Sequence, residues 1–153
     1  MLSRLVLVVS LCVLALADEV HKKRCVGVDS SQCVIHSANV EPCPHGPRYC
    51  SIISDKRYSI NVNFTPYFSA HNLKLAVSTD HDNVGTFSPV KTYKDACSSL
   101  LTCPLEAHVR QSFDIPLSLD KIVLGKFPVQ VKLWNGEDAS QACCFTFRAK
   151  IKQ

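Results

Sequence analysis

Nine cysteines in 153 residues constrain this chain more than any other feature. So many thiols in so short a chain serve as disulfides or as metal ligands, and the compartment decides which. The N-terminus points to the compartment. Residues 1–17, MLSRLVLVVSLCVLALA, place Arg4 ahead of an apolar run interrupted only by Ser10. Ala15 and Ala17 stand where a signal peptidase reads small side chains. The apolar run is too short for a spanning helix, which needs roughly 20 residues. A signal peptide over residues 1–17 is therefore expected. A mature domain over residues 18–153 would then follow the secretory route to the extracellular space or the lysosomal lumen. Cys12 and Arg4 leave with the signal, so eight cysteines remain and the formal charge falls from +4 to +3. An even count in an oxidising compartment reads as a disulfide framework, although eight cysteines allow on the order of a hundred pairings.

The rest of the chain reads as strands. Tyr58-Ser59-Ile60-Asn61-Val62-Asn63-Phe64 alternates large apolar with small polar residues, and Leu73-Lys74-Leu75-Ala76-Val77-Ser78 alternates likewise. The same period of two runs through residues 109–115 (with Gln111 the polar exception), 129–133 and 145–151. Each apolar set then lines one face of a strand, dry on one side and wet on the other. Residues 34–40 and the start of the mature chain are expected to add edge strands. No helix-length stretch carries apolar residues at i, i+3, i+4 and i+7. Turn chemistry at 42–47, at 80–83 and at Asn135-Gly136 punctuates the strands; the last predicts a hairpin between the final two strands with a loop longer than two residues. The class expected is all-β, about seven strands at sandwich-like spacing in one domain. With 46% hydrophobic and 20% charged residues, disorder is excluded. The mild, dispersed charge excludes a nucleic-acid binder, and neither glycine fingerprint of a nucleotide-binding fold occurs.

One set of residues resembles a known family. A lone Cys25 is followed by Val40-Glu41-Pro42-Cys43-Pro44 and Cys50, then by the Tyr58–Phe64 alternation. Next come Cys97, Cys103-Pro104-Leu105, Ile115-Pro116-Leu117 and a closing cysteine strand that ends Ala149-Lys150-Ile151. This order resembles the ML lipid-recognition domain family, which includes the Niemann-Pick type C2 sterol-binding proteins and the mite group 2 allergens. The resemblance covers nearly all of residues 18–153. It implies an immunoglobulin-like two-sheet β-sandwich, stapled by disulfides, whose sheets splay to open an apolar pocket. It also implies bridges Cys43–Cys50 and Cys97–Cys103, with Cys25 tied to the last strand. This chain departs from the usual six-cysteine set by adding Cys33 and by carrying both Cys143 and Cys144. Counting as in the allergens pairs Cys25 with Cys143 and leaves Cys33 for Cys144, which is the pairing favoured here; counting as in the sterol-binding branch selects Cys144 for Cys25.

The function implied is that of a lipid carrier without catalysis, needing no cofactor or metal. The pocket lining is expected from inward strand positions: Val62, Phe64, Leu75, Val77, Phe113, Ile115, Leu117, Val131, Leu133, Phe145 and Phe147. Phe87, Pro116, Ile122 and Val123 are expected near its mouth. Ordinary core packing is the competing reading for each residue taken singly. Partners expected are a sterol, fatty acid or other lipid, with a membrane surface, transporter or receptor as donor or acceptor, and the protein is taken as a monomer. The alternative is an innate-immune recognition protein of the same fold that binds microbial glycolipid. Other constellations are weaker. His21-Lys22-Lys23-Arg24 could meet anionic lipid heads but reads more readily as a solvated strand end. Asp80-His81-Asp82 are adjacent turn residues, which seldom chelate one ion, and His45 could join a zinc site only beside reduced thiols. Ser, His and Asp occur without a nucleophile elbow. Asn63-Phe64-Thr65 is a glycosylation sequon on a wet face, followed directly by Pro66.

Overall fold

The computed structural model describes residues 19–44, 46, 48–119 and 124–153. The signal-peptide segment and the mouth candidates Ile122 and Val123 lie outside the described residues, as does His45. Among the described residues nine strands occur: β1 (Lys23–Arg24), β2 (Cys33–Glu41), β3 (Cys50–Ile53), β4 (Arg57–Pro66), β5 (Leu73–Thr79), β6 (Ser88–Tyr93), β7 (Gln111–Ser118), β8 (Gly125–Asn135) and β9 (Ala142–Lys152). The one helical element among the described residues is a 3-10 turn, Ser30–Gln32, opened by the Asp29 carboxylate accepting from the Ser31 amide. The strands form a large sheet in the order β1-β9-β8-β5-β6, with β3 added in parallel beside β9, and a three-stranded sheet in the order β2-β4-β7.

Period-two alternation decides which faces meet. On β4, Tyr58, Ile60, Val62 and Phe64 are buried while the residues between them are half-buried. On β8 and β9 the buried set is Phe127, Val129, Val131, Leu133 and Cys143, Phe145, Phe147, Ala149, Ile151. Antiparallel register keeps these sets side by side: Val131 faces Phe145, Val129 faces Phe147, and Val62 faces Phe113 on β7. The two inner faces make one contiguous apolar cluster. Phe64 and Phe113 meet edge to face with ring centroids 5.4 Å apart, a geometry worth about 0.5–1.5 kcal/mol beyond the area buried. The β8–β9 connection is the expected long hairpin: the Asn135 side chain accepts from the Glu137 amide and donates to Gln141 Oε1 at 2.8 Å.

All eight cysteines of the described residues are bridged, and the favoured pairing of the last strand is corrected. Cys25 is joined to Cys144, and Cys33 to Cys143. Alternation and register explain the result. β1 pairs with β9 through Lys23↔Thr146 and Arg24↔Phe145, so one further step sets Cys25 opposite Cys144. Cys143 is the neighbour on the other face of β9. It is buried and turned toward the small sheet, where Cys33 opens β2. The Cys25–Cys144 bridge thus lies within the large sheet, whereas Cys33–Cys143 ties the two sheets together. The short bridges Cys43–Cys50 and Cys97–Cys103 are those the resemblance implies.

Candidate functional site

The candidate site is the apolar layer between the sheets, and its two rims differ. Along β2 and β9 the sheets approach closely, and the Cys33–Cys143 bridge locks them there. At the opposite rim the edge strands are β6 of the large sheet and β7 of the small one. The Lys91 ammonium on β6 donates across this rim to the Pro116 carbonyl on β7. Among the described residues, one rim is therefore held covalently and the other carries a lysine hydrogen bond in place of a disulfide.

Eleven of the predicted lining residues come together as expected for an inward layer: Val62, Phe64, Leu75, Val77, Phe113, Ile115, Leu117, Val131, Leu133, Phe145 and Phe147 are all buried in the same cluster. Pro116 does not join them. It follows Ile115 by one residue and so lies on the solvent face of β7, leaving only its carbonyl at the rim. Phe87 is half-buried in the loop after β5 and faces a groove on the outside of the large sheet. The sequence reading missed Phe68, Leu101 and Leu105, buried residues outside the strands that pack onto the cluster. Their signal was an apolar side chain without periodicity, which alone does not separate cover from loop.

Clefts also open on the surface of the sandwich. A cleft of about 300 Å³ opens at the β1–β2 rim, with Arg24, Ile35, Cys144 and Phe145 among its walls. A larger groove of about 590 Å³ lies on the outside of the large sheet. The Asp80-His81-Asp82 turn has a structural account: the buried Asp80 carboxylate accepts from the amides of Val84 and Gly85 at 3.0 and 2.9 Å and so folds the loop after β5. Asn63 sits on the outer face of the central strand of the small sheet, where its amide donates to Ser37 Oγ at 3.2 Å and to Asn61 Oδ1 at 3.3 Å.

These features define an immunoglobulin-like β-sandwich with an apolar core between its sheets, stapled by four disulfides. The model of the ML domain matches residues 19–151, and the chain belongs to that family. It is 28% identical over 130 residues to the MD-2-related lipid-recognition protein of Manduca sexta, spanning 84% of this chain and 83% of that one. The crystal structure of a Niemann-Pick type C2 protein from the Japanese carpenter ant shares the fold with a TM-score of 0.70 at 19% identity, covering 84% of this chain and 98% of that one.

Proposed function

We propose that the protein binds a sterol or another lipid between its two sheets and carries it between membranes or partners. The observation that carries this reading is the asymmetry of the sandwich: among the described residues, an apolar layer covalently closed along β2–β9 and strapped by Lys91, without a disulfide, along β6–β7. A guest would enter by parting β6 from β7, which breaks no strand pairing, because the two edges belong to different sheets. A lipid chain of about 16 methylenes gains on the order of 13 kcal/mol on leaving water. A bilayer offers a similar gain, so a carrier need only match the membrane to remove the aqueous barrier to transfer. A polar head would stay at the rim, since burying it unpaired costs a few kcal/mol. The role requires no bond-making step. The four bridges support passage through an oxidising compartment, in keeping with a cleaved segment over residues 1–17 and release to the extracellular space or lysosome.

The similarity to an MD-2-related lipid-recognition protein favours a second reading, recognition of a microbial glycolipid on the way to a receptor. Lipid extraction and mass spectrometry of the protein secreted from eukaryotic cells test both. Bound sterol or fatty acid supports the carrier, and bound glycolipid of the lipid A type supports recognition. An empty protein with hydrolytic turnover would overturn both in favour of an enzyme.

A further inference from the structure

The charges of the sandwich are segregated. Every charged residue on the strands of the large sheet is a lysine or arginine, with no Asp or Glu among them. The small sheet, by contrast, carries Arg57 beside Glu41 and Asp114. The groove of about 590 Å³ lies on this cationic face, where β1, β8 and β9 meet the loops before β3 and after β5. Lys23, Arg48 and Arg148 line it, with Arg24 at the edge it shares with the β1–β2 cleft, and none of the four makes an ion pair within the described residues. Lys23 faces Thr146 and Arg148 is the next residue outward on β9, so two like charges sit as diagonal neighbours. The one carboxylate in the groove, Asp80, is occupied by the amides of Val84 and Gly85. The rest of the wall sets apolar Val26, 99% exposed, Phe87, Pro128 and Phe147 beside His21 and Thr146.

Gathered around one concavity, these cations outnumber its one carboxylate and repel each other. An anion placed among them removes that repulsion and accepts charge-assisted hydrogen bonds. The apolar wall selects further, because a bare inorganic anion would leave it in water. We propose that this groove is a second ligand site, on the outside of the large sheet, for an amphiphilic anion: a phosphate monoester or carboxylate joined to a short apolar chain. The site is separate from the inter-sheet layer and does not depend on what that layer holds.

The test is an amide NMR titration of the mature, disulfide-bonded protein with octyl phosphate, run beside inorganic phosphate and octanol. Saturable shifts are expected at Lys23, Arg24, Thr146, Arg148 and Gly85, with octyl phosphate binding at least tenfold tighter than either fragment. The double variant Lys23→Ser/Arg148→Ser, both side chains being exposed, should keep its melting temperature and lose affinity by about tenfold or more per cation. Equal affinity in that variant, or shifts confined to the amides of Val62, Leu75 and Val131, would overturn the site. Affinity for inorganic phosphate equal to that for octyl phosphate would also overturn it, in favour of a bare anion patch. Binding to phosphatidylcholine vesicles containing phosphatidic acid, without saturable binding of octyl phosphate, would overturn it in favour of a membrane-facing surface. Because the inward amides are read in the same spectra, failure here is distinguishable from failure of the inter-sheet proposal.

Discussion

Replacing Cys33 and Cys143 by alanine cuts the covalent tie between the two sheets, and the structure sets how much this should cost. The two long bridges span 119 and 110 residues, one nested just inside the other. Alone, either closes a loop worth about 5 kcal/mol of denatured-chain entropy. With one in place, the second closes only the difference between them, about nine residues, worth about 2.5 kcal/mol. Removing either pair should therefore cost about 2.5 kcal/mol, and removing both about 7.5 kcal/mol, so the losses exceed additivity by about 2.5 kcal/mol. Equilibrium denaturation of Cys25→Ala/Cys144→Ala, Cys33→Ala/Cys143→Ala and the quadruple variant measures all three values. Strictly additive losses of about 5 kcal/mol each would refute the nested-loop reasoning. The pairing is checked in the same series: Cys33→Ala alone should leave one free thiol, located by alkylation and fragment mass spectrometry at Cys143. A free thiol at Cys144 would reverse the assignment.

Lys91→Met should speed both uptake and release of a fluorescent sterol in stopped-flow measurements, at a stability cost of about 1 kcal/mol; unchanged rates would remove the strap from the entry route. Leu117→Trp, which overfills the layer beside that rim, should lower stability by about 1–3 kcal/mol and sterol uptake by at least tenfold, and unaltered uptake would contradict the lining assignment. The hydroxyl and then the amide of Ser140 hold the Asp138 carboxyl below the ordinary aspartate value of 3.8. The amide of Ser31 chiefly does the same for Asp29. Both carboxylates thus favour the fold above the ordinary aspartate range and lose that contribution as pH falls through their depressed values. Carboxyl NMR titration should find both midpoints under 3.8, and midpoints above it would contradict these turns. We also propose that the Asn63 sequon is glycosylated before the sheet closes over its amide; glycosidase treatment of secreted protein should then reduce its mass, and an unchanged mass would show the site empty.

Alternation made β4, β5, β8 and β9 legible, because half-buried strands must repeat every two residues. The same logic placed Val62, Leu75, Val131 and Phe147 inward before any coordinates. It could not find β3, whose Cys50–Ile52 run is buried without alternation beside β9. Nor could it find β6, an edge strand with no buried residue and a proline at its second position. Residues 109 and 110 read as strand but lie outside it, the Val109 amide closing the turn at 107 and 108 on the Glu106 carbonyl, so β7 begins at Gln111. Alternation alone would also have separated Pro116 from Ile115 and Leu117. The choice between Cys143 and Cys144 needed the β1–β9 register, a two-residue pairing that carries no sequence signal. The cationic outer face was equally hidden: the chain's net charge is only +4, and the segregation emerges only when the strands are sorted into sheets.

The most direct measurement of the central claim is a set of contacts from a ¹³C-labelled sterol or fatty acid to protein methyl groups by nuclear Overhauser spectroscopy. The inter-sheet account predicts cross-peaks to Val62, Leu75, Ile115, Val131 and Leu133 from both sheets at once. Cross-peaks confined to residues on the outer faces, or none to a lipid that binds, would contradict it.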